Sequence, residues 1–123
     1  MNIALWAVAG VLAAIFVGAG LMKATQPKDK IAANMPWAAD FSAAQVKAIG
    51  VVEILGGVGL IAPAVTGIAP ILTPLAATGL AVTMLFAAIV HFRRGENSHI
   101  AVNILLFALA TFVAVMRFGP NAF

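Results

Sequence analysis

The chain has no cysteine, and only 9% of its 123 residues are Asp, Glu, Lys or Arg. The first absence excludes disulfides, thiol redox chemistry and cysteine-based metal sites, and it says nothing of compartment. The second leaves too few charges to coat a water-soluble globule of this length. Histidine is scarce too: two histidines and one intramembrane carboxylate make neither a His-Glu-x-x-His nor a Glu-x-x-His pattern, so no metal site is expected. No low-complexity tract or internal repeat is strong enough to argue from. What is present is apolar. Hydrophobic residues make up 63% of the chain and the mean hydropathy is +1.09, so lipid is the expected solvent. The formal charge of +3 and a pI of about 10.0 would suit nucleic acid only if the bases clustered, and they do not, so none is expected as a partner.

Four apolar stretches stand out, and together they predict an all-α fold: a bundle of four transmembrane helices within one domain covering 1–123. The first, 3–23, carries no charge before Lys23 and matches a hydrocarbon core of roughly 30 Å at about 1.5 Å per residue. A cleaved signal peptide is disfavoured, because a basic leader is missing, the run is too long and Met22-Lys23-Ala24-Thr25 is a poor cleavage context. The second stretch, 43–62, is announced by Phe41-Ser42-Ala43-Ala44-Gln45-Val46. Ser42 and Gln45 make a capping box there and Phe41 with Val46 a hydrophobic staple, while Pro63 and Thr66-Gly67 are expected to break the helix. The third, 71–92, carries Pro74 in its first turn, where a proline costs little, and Gly95 ends it. The fourth, 100–117, follows an Asn97/Ser98 cap and stops at Arg117.

The linkers differ in kind. Residues 24–42 have room for a short interfacial helix around Lys28–Asn34, with Met35-Pro36-Trp37 returning the chain to the interface. Residues 63–70 are short and apolar, and 93–99 short and polar. With four crossings the first and third linkers share a face, which with the adjoining helix ends holds Lys23, Lys28, Lys30, Lys47, Arg93 and Arg94; the other face has only Arg117. Linkers 24–42 and 93–99 are therefore expected in the cytoplasm and both termini outside, in a plasma membrane such as the bacterial inner membrane.

Function is sought in the polar residues that a bilayer penalises. Glu53 lies mid-helix with Gly50 and Gly57 at i−3 and i+4, a small-residue face that another helix can approach closely. It serves either as an anchor between helices or in ligand or proton binding. His91 continues the row Gly79, Thr83, Ala87, His91, which reads as a second packing face; alone, His91 is as readily an interfacial histidine bonded to backbone or water. Asn103 and Lys23 are individually ordinary, since Asn often glues helices and a terminal Lys usually snorkels. Their convergence is what counts. Each of the four helices sends one polar group, Lys23, Glu53, His91 or Asn103, into the same half of the bundle, which predicts a small polar pocket open to the cytoplasm in which Glu53 is neutralised. The glycines Gly56-Gly57-Val58-Gly59 lie inside an apolar helix and suit packing rather than phosphate binding.

The layout resembles the DoxX-like family of small four-helix membrane proteins. The resemblance rests on Ala19 to Lys23 at the end of the first helix, Gln26 to Lys28 opening the linker, Ile49 to Gly57 in the second helix, and His91 closing the third. It covers essentially the whole chain. It implies an accessory or binding subunit, or an assembly partner, of a larger membrane complex, since named members are similar to subunits of a thiosulfate:quinone oxidoreductase, to a partner in a mycobacterial oxidoreductase complex and to animal receptor-assembly chaperones. The implied partners are membrane lipid and other membrane subunits or a second copy, with quinone or lipid as the candidate cofactor. The absence of cysteine favours an accessory part over an autonomous enzyme. Two alternatives stand beside this. A proton-coupled exporter resembling the small multidrug resistance family also has four helices and a membrane glutamate, although that family carries it in the first helix. A free-standing quinone-using enzyme would need a lipid-open apolar cleft near His91.

Overall fold

The computed structural model describes residues 2–123, and of Asn34 and Asn97 the backbone alone. Its elements are α1 (Asn2–Thr25), α2 (Lys28–Asn34), a 3₁₀ turn (Pro36–Asp40), α3 (Ala43–Thr66), α4 (Leu72–Arg93) and α5 (Asn97–Phe118). The fold is all-helical, and α1, α3, α4 and α5 are each long and apolar enough to cross a bilayer. They pack in a ring in which α1 lies against α3, α3 against α4, α4 against α5 and α5 against α1. One end of the bundle carries the 26–42 linker and the α4–α5 turn; the other carries the 67–71 turn and the C-terminus. They are called here the linker end and the terminal end.

Local chemistry explains the helix limits. Ser42 Oγ accepts from the Gln45 amide at 3.1 Å while the Gln45 side chain accepts from the Ser42 amide at 2.9 Å, so α3 starts at Ala43 with two otherwise orphaned donors satisfied. Phe41 packs on the cluster that contains Val46, Ile31 and Ala38, which seats α2 and the 3₁₀ turn over the start of α3. Pro63 does not end the helix. Its missing N–H removes one bond within α3, but Gly67 donates to the Pro63 carbonyl at 3.0 Å and the helix runs on to Thr66, stopping where Gly67 turns left-handed at φ +72°. The carbonyl that Pro63 leaves without a helical partner is that of Gly59, and one residue on Thr73 of α4 donates a long 3.4 Å bond to the Leu60 carbonyl, tying α3 to α4 at this point. The last span begins earlier than its apolar run suggests: α5 starts at Asn97 with Glu96 at its cap and no side-chain cap bond, and the Asn97 side chain lies outside the described residues.

Two apolar rows make the core. On α1 the buried residues are Leu5, Ala9, Leu12, Phe16, Gly20 and Lys23, and on α3 they are Val46, Gly50, Glu53, Gly57, Leu60 and Pro63. Both follow the three-then-four spacing that keeps one helix face inward. The rows run antiparallel and touch at glycine. A methyl group placed on Gly20 would lie 2.5 Å from the Gly50 carbonyl oxygen, and one on Gly57 would lie 2.7 Å from Val17 Cγ2. Small residues thus let two backbones approach where any side chain would hold them apart. Gly56 and Gly59 do the same for α4, facing Leu80 and Ala76. The inward face of α4 is Ala77, Leu80, Ala81 and Met84. The expected row through Gly79 therefore does not pack at its start: Gly79 is exposed, with nothing within 4 Å of a methyl group placed on it, because it sits about 100° around the helix from Leu80.

Candidate functional site

The glycine contact that joins α1 to α3 also positions the ion pair. Lys23 lies one turn beyond Gly20 and Glu53 one turn beyond Gly50, on helices of opposite direction. A helical side chain leans toward its own N-terminus, so Lys23 points back into the bundle instead of out to the interface. Its Nζ donates to Glu53 Oε1 at 2.6 Å. Glu53 is only 2% exposed and Lys23 9%, so each charge has left solvent largely on account of the other. Trp37 of the 3₁₀ turn covers the lysine, with Nζ 5.4 Å from its ring centroid, and Phe41 meets Trp37 edge-on at 5.7 Å.

The pair lies at a cavity of about 700 Å³ between α3 and α4. Near the terminal end these helices touch through Gly56, Gly59, Leu80 and Ala76, and toward the linker end the gap opens. Lys23, Glu53, Thr83, His91, Arg93 and Asn103 form the polar part of its wall, and apolar side chains such as Ile49, Val52, Met84 and Phe86 supply much of the rest. Trp37 and Phe41 close over the linker end. Val52, Phe86 and Ile89 are 48%, 63% and 41% exposed, so the side opening gives onto the surface that lipid would cover.

All four polar residues anticipated from the sequence line this one cavity, but they do not form one network. His91 is buried, and its Nδ1 lies 3.0 Å from Glu96 Oε1 rather than on Glu53. The reason is local: Gly95 turns left-handed at φ +72° and the Glu96 amide returns to the His91 carbonyl at 2.9 Å, which folds the Glu96 side chain back onto the ring. His99 stacks on His91 with centroids 4.8 Å apart, and Arg94 bridges Glu96 to Asp40 of the 3₁₀ turn. The hydrogen bond from His91 holds the Glu96 carboxyl below its ordinary value, with the Arg94 charge acting the same way. Asn103 does not reach Glu53 either. Its Nδ2 donates to Met84 Sδ at 3.6 Å, and its buried Oδ1 has no partner among the described residues. Sequence reasoning overlooked Gly20, whose only signal was its small size near a chain of small residues, and the Asp40–Arg94–Glu96 tie, which spans two linkers and has none.

Four crossing helices with an enclosed ion pair beside a side-opening cavity define a small multi-pass membrane protein whose polar centre lies among its spans. The chain belongs to the DoxX-like family, whose family model matches residues 7–113 and so includes every residue of this site. Neither the curated proteins nor the solved structures give a significant match.

Proposed function

We propose that this protein is a binding or accessory subunit of a larger membrane assembly, and that the cavity beside Lys23 and Glu53 holds a small ligand or part of a partner. The observation that carries the reading is the cavity itself: a buried, neutralised ion pair faces about 700 Å³ of space lined mainly by apolar side chains. A pair needed only to clamp two helices would be better covered by packing. The lack of cysteine supports an accessory role in any redox assembly, where a partner would supply the electron-carrying group. A quinone link draws support from the side opening near His91, which is the kind of cleft a lipid-soluble redox carrier would need.

The exporter reading is weaker on chemical grounds. A carboxylate that exchanges protons for cationic cargo must be free to meet that cargo, and Glu53 already holds Lys23 at 2.6 Å. The linker end is assigned to the cytoplasm on its excess of Lys and Arg. Single cysteines at Lys28 and Asn97 should then resist an impermeant thiol reagent in intact cells while cysteines at Val65 and Asn121 label, and the reverse pattern would invert the assignment.

Purification in mild detergent followed by mass spectrometry tests the reading. Reproducible co-purification of a membrane subunit together with a lipid-soluble small molecule is expected. Proton-coupled efflux by the purified protein alone would overturn it in favour of the exporter.

A further inference from the structure

Resting on the binding role proposed above, we infer that the cavity takes an uncharged, hydroxyl-headed amphiphile that enters sideways from the bilayer. The route follows from what covers the cavity. Trp37 and Phe41 close over the linker end, whereas Val52, Phe86 and Ile89 both line the space and are exposed on the outer surface. An occupant arriving between α3 and α4 comes from hydrocarbon, with its apolar part along those three side chains and its head at the ion pair.

The head group follows from the hydrogen-bond inventory. Lys23 Nζ has three N–H donors and gives one to Glu53 Oε1; among the described residues Glu53 Oε2 accepts none. The wall therefore offers donors and an acceptor side by side. A hydroxyl group matches both at once, donating to Glu53 Oε2 while accepting from Lys23 Nζ. A carboxylate head at the pair would compete with Glu53 for the lysine and leave two anions sharing one cation there, since Arg93, the other cation on the cavity wall, is exposed at the linker end and makes no ion pair with Glu53. An ammonium head would take Glu53 and strand Lys23. Either would disturb a buried, balanced pair, and a neutral donor–acceptor head does not. The single O–H of such a head has Asn103 Oδ1, unpartnered among the described residues, as an alternative acceptor on the same wall.

The full-length protein in phosphatidylcholine nanodiscs provides the test. Three photoreactive probes of equal chain length, a long-chain alcohol, the matching fatty acid and the matching amine, are crosslinked and mapped by mass spectrometry. Met84 and Ile49 line the cavity, while Leu105 is exposed on α5 and does not line it. Labelling of Met84 and Ile49 by the alcohol probe should saturate, fall at least tenfold with excess unlabelled alcohol, and exceed that by the acid or amine at least tenfold. Labelling of Leu105 should not saturate. Ala87→Leu, which enlarges a side chain on the cavity wall, should abolish the saturable part in protein whose cooperative thermal unfolding shows the bundle intact. Saturable labelling led by the acid or the amine would overturn the hydroxyl assignment and leave the binding role standing. No saturable labelling at Met84 and Ile49 by any probe would overturn both.

Discussion

The two ends of this bundle each bury a cation, and they do so in opposite ways. At the linker end Lys23 is neutralised by Glu53 and faces a cavity. At the terminal end Arg117 is 5% exposed with no carboxylate partner among the described residues: NH1 donates to Asn2 Oδ1 at 2.7 Å and to the Asn121 carbonyl at 2.9 Å, and the guanidinium lies over the Phe123 ring at 3.9 Å and near Trp6 at 5.9 Å. Guanidinium is planar and weakly hydrated, so amide oxygens and aromatic faces suffice for it. An ammonium group is a compact, strongly hydrated charge that needs an anion once it leaves water. The difference teaches where to look for chemistry. The terminal end solves a packing problem with groups that are used up in solving it, whereas the linker end keeps unspent hydrogen-bonding capacity on a cavity wall.

The largest effect that would break this contrast is on the ion pair. Glu53→Gln strands Lys23, and Lys23→Met strands Glu53; each should cost about 3 kcal/mol or more in detergent unfolding, less whatever the stranded group recovers by changing protonation. The double replacement Lys23→Met with Glu53→Met should recover most of the loss, because no uncompensated charge is left in the bundle. A silent Glu53→Gln would show that the carboxyl is held neutral and that the pairing does not carry the fold.

Next comes the glycine contact that brings the pair together. Gly50→Leu must push aside the Gly20 carbonyl, 2.7 Å from where its first carbon would lie, and Gly57→Leu must displace Val17. Losses of about 2 to 3 kcal/mol are expected for each. Gly10→Leu should change stability by less than about 0.5 kcal/mol, since nothing lies within 4 Å of the added carbon. Equal losses at all three positions, read from thermal unfolding, would remove any special status from the face that carries Glu53.

Arg117 gives a smaller change that sharpens the comparison. Arg117→Met loses two charge-assisted hydrogen bonds and the stacking on Phe123, but it also removes a desolvated cation and leaves no opposite charge behind. A net loss of about 1 kcal/mol is expected, well below that of either single change at the pair. A loss as large as that of Lys23→Met would mean that the cation at the terminal end is held by more than amides and rings.

How far these features were legible in the sequence depends on the range of the interaction. The α3 start at Ala43 was readable because Ser42, Gln45, Phe41 and Val46 act within one turn. The four spans were readable because an uninterrupted apolar run has few alternatives in lipid. The shared depth of Lys23, Glu53, His91 and Asn103 followed from counting turns in antiparallel helices. What counting turns cannot supply is rotation and competition. Gly79 looked inward because a small residue continued a row, yet the larger Leu80 and Met84 set the face of α4. His91 shares a depth with Glu53 and so reads as one of its three candidate partners, while Glu96, five residues along the chain, reaches it first through a glycine turn. The continuation of α3 past Pro63 was hidden because a lost backbone bond among packed helices costs less than a proline rule drawn from soluble proteins suggests.

The smallest expected effect concerns the polar tie that closes the linker end. Glu96 accepts from Arg94 Nε at 3.2 Å and lies 3.0 Å from His91 Nδ1, and Arg94 continues to Asp40, so the α4–α5 turn is fastened to the 3₁₀ turn that covers the cavity. Its folded carboxyl is held below the ordinary value of 4.5, first by the hydrogen bond with His91 and then by the Arg94 charge. A carboxyl with a lowered folded pKa adds stability that is fully present above its unfolded value and is lost as the pH falls through the folded one. The gap in thermal midpoint between wild type and Glu96→Gln should therefore be constant at neutral and mildly acidic pH and begin to close below about 4.5, where the unfolded carboxyl takes up its proton. The gap is expected to be small, because the tie lies at the water-exposed edge of the bundle and its charges are screened there. A gap that opens as the pH falls would have the wrong sign for this tie. Equal midpoints at pH 7 would mean that the cover over the cavity is held by Trp37 and Phe41 alone.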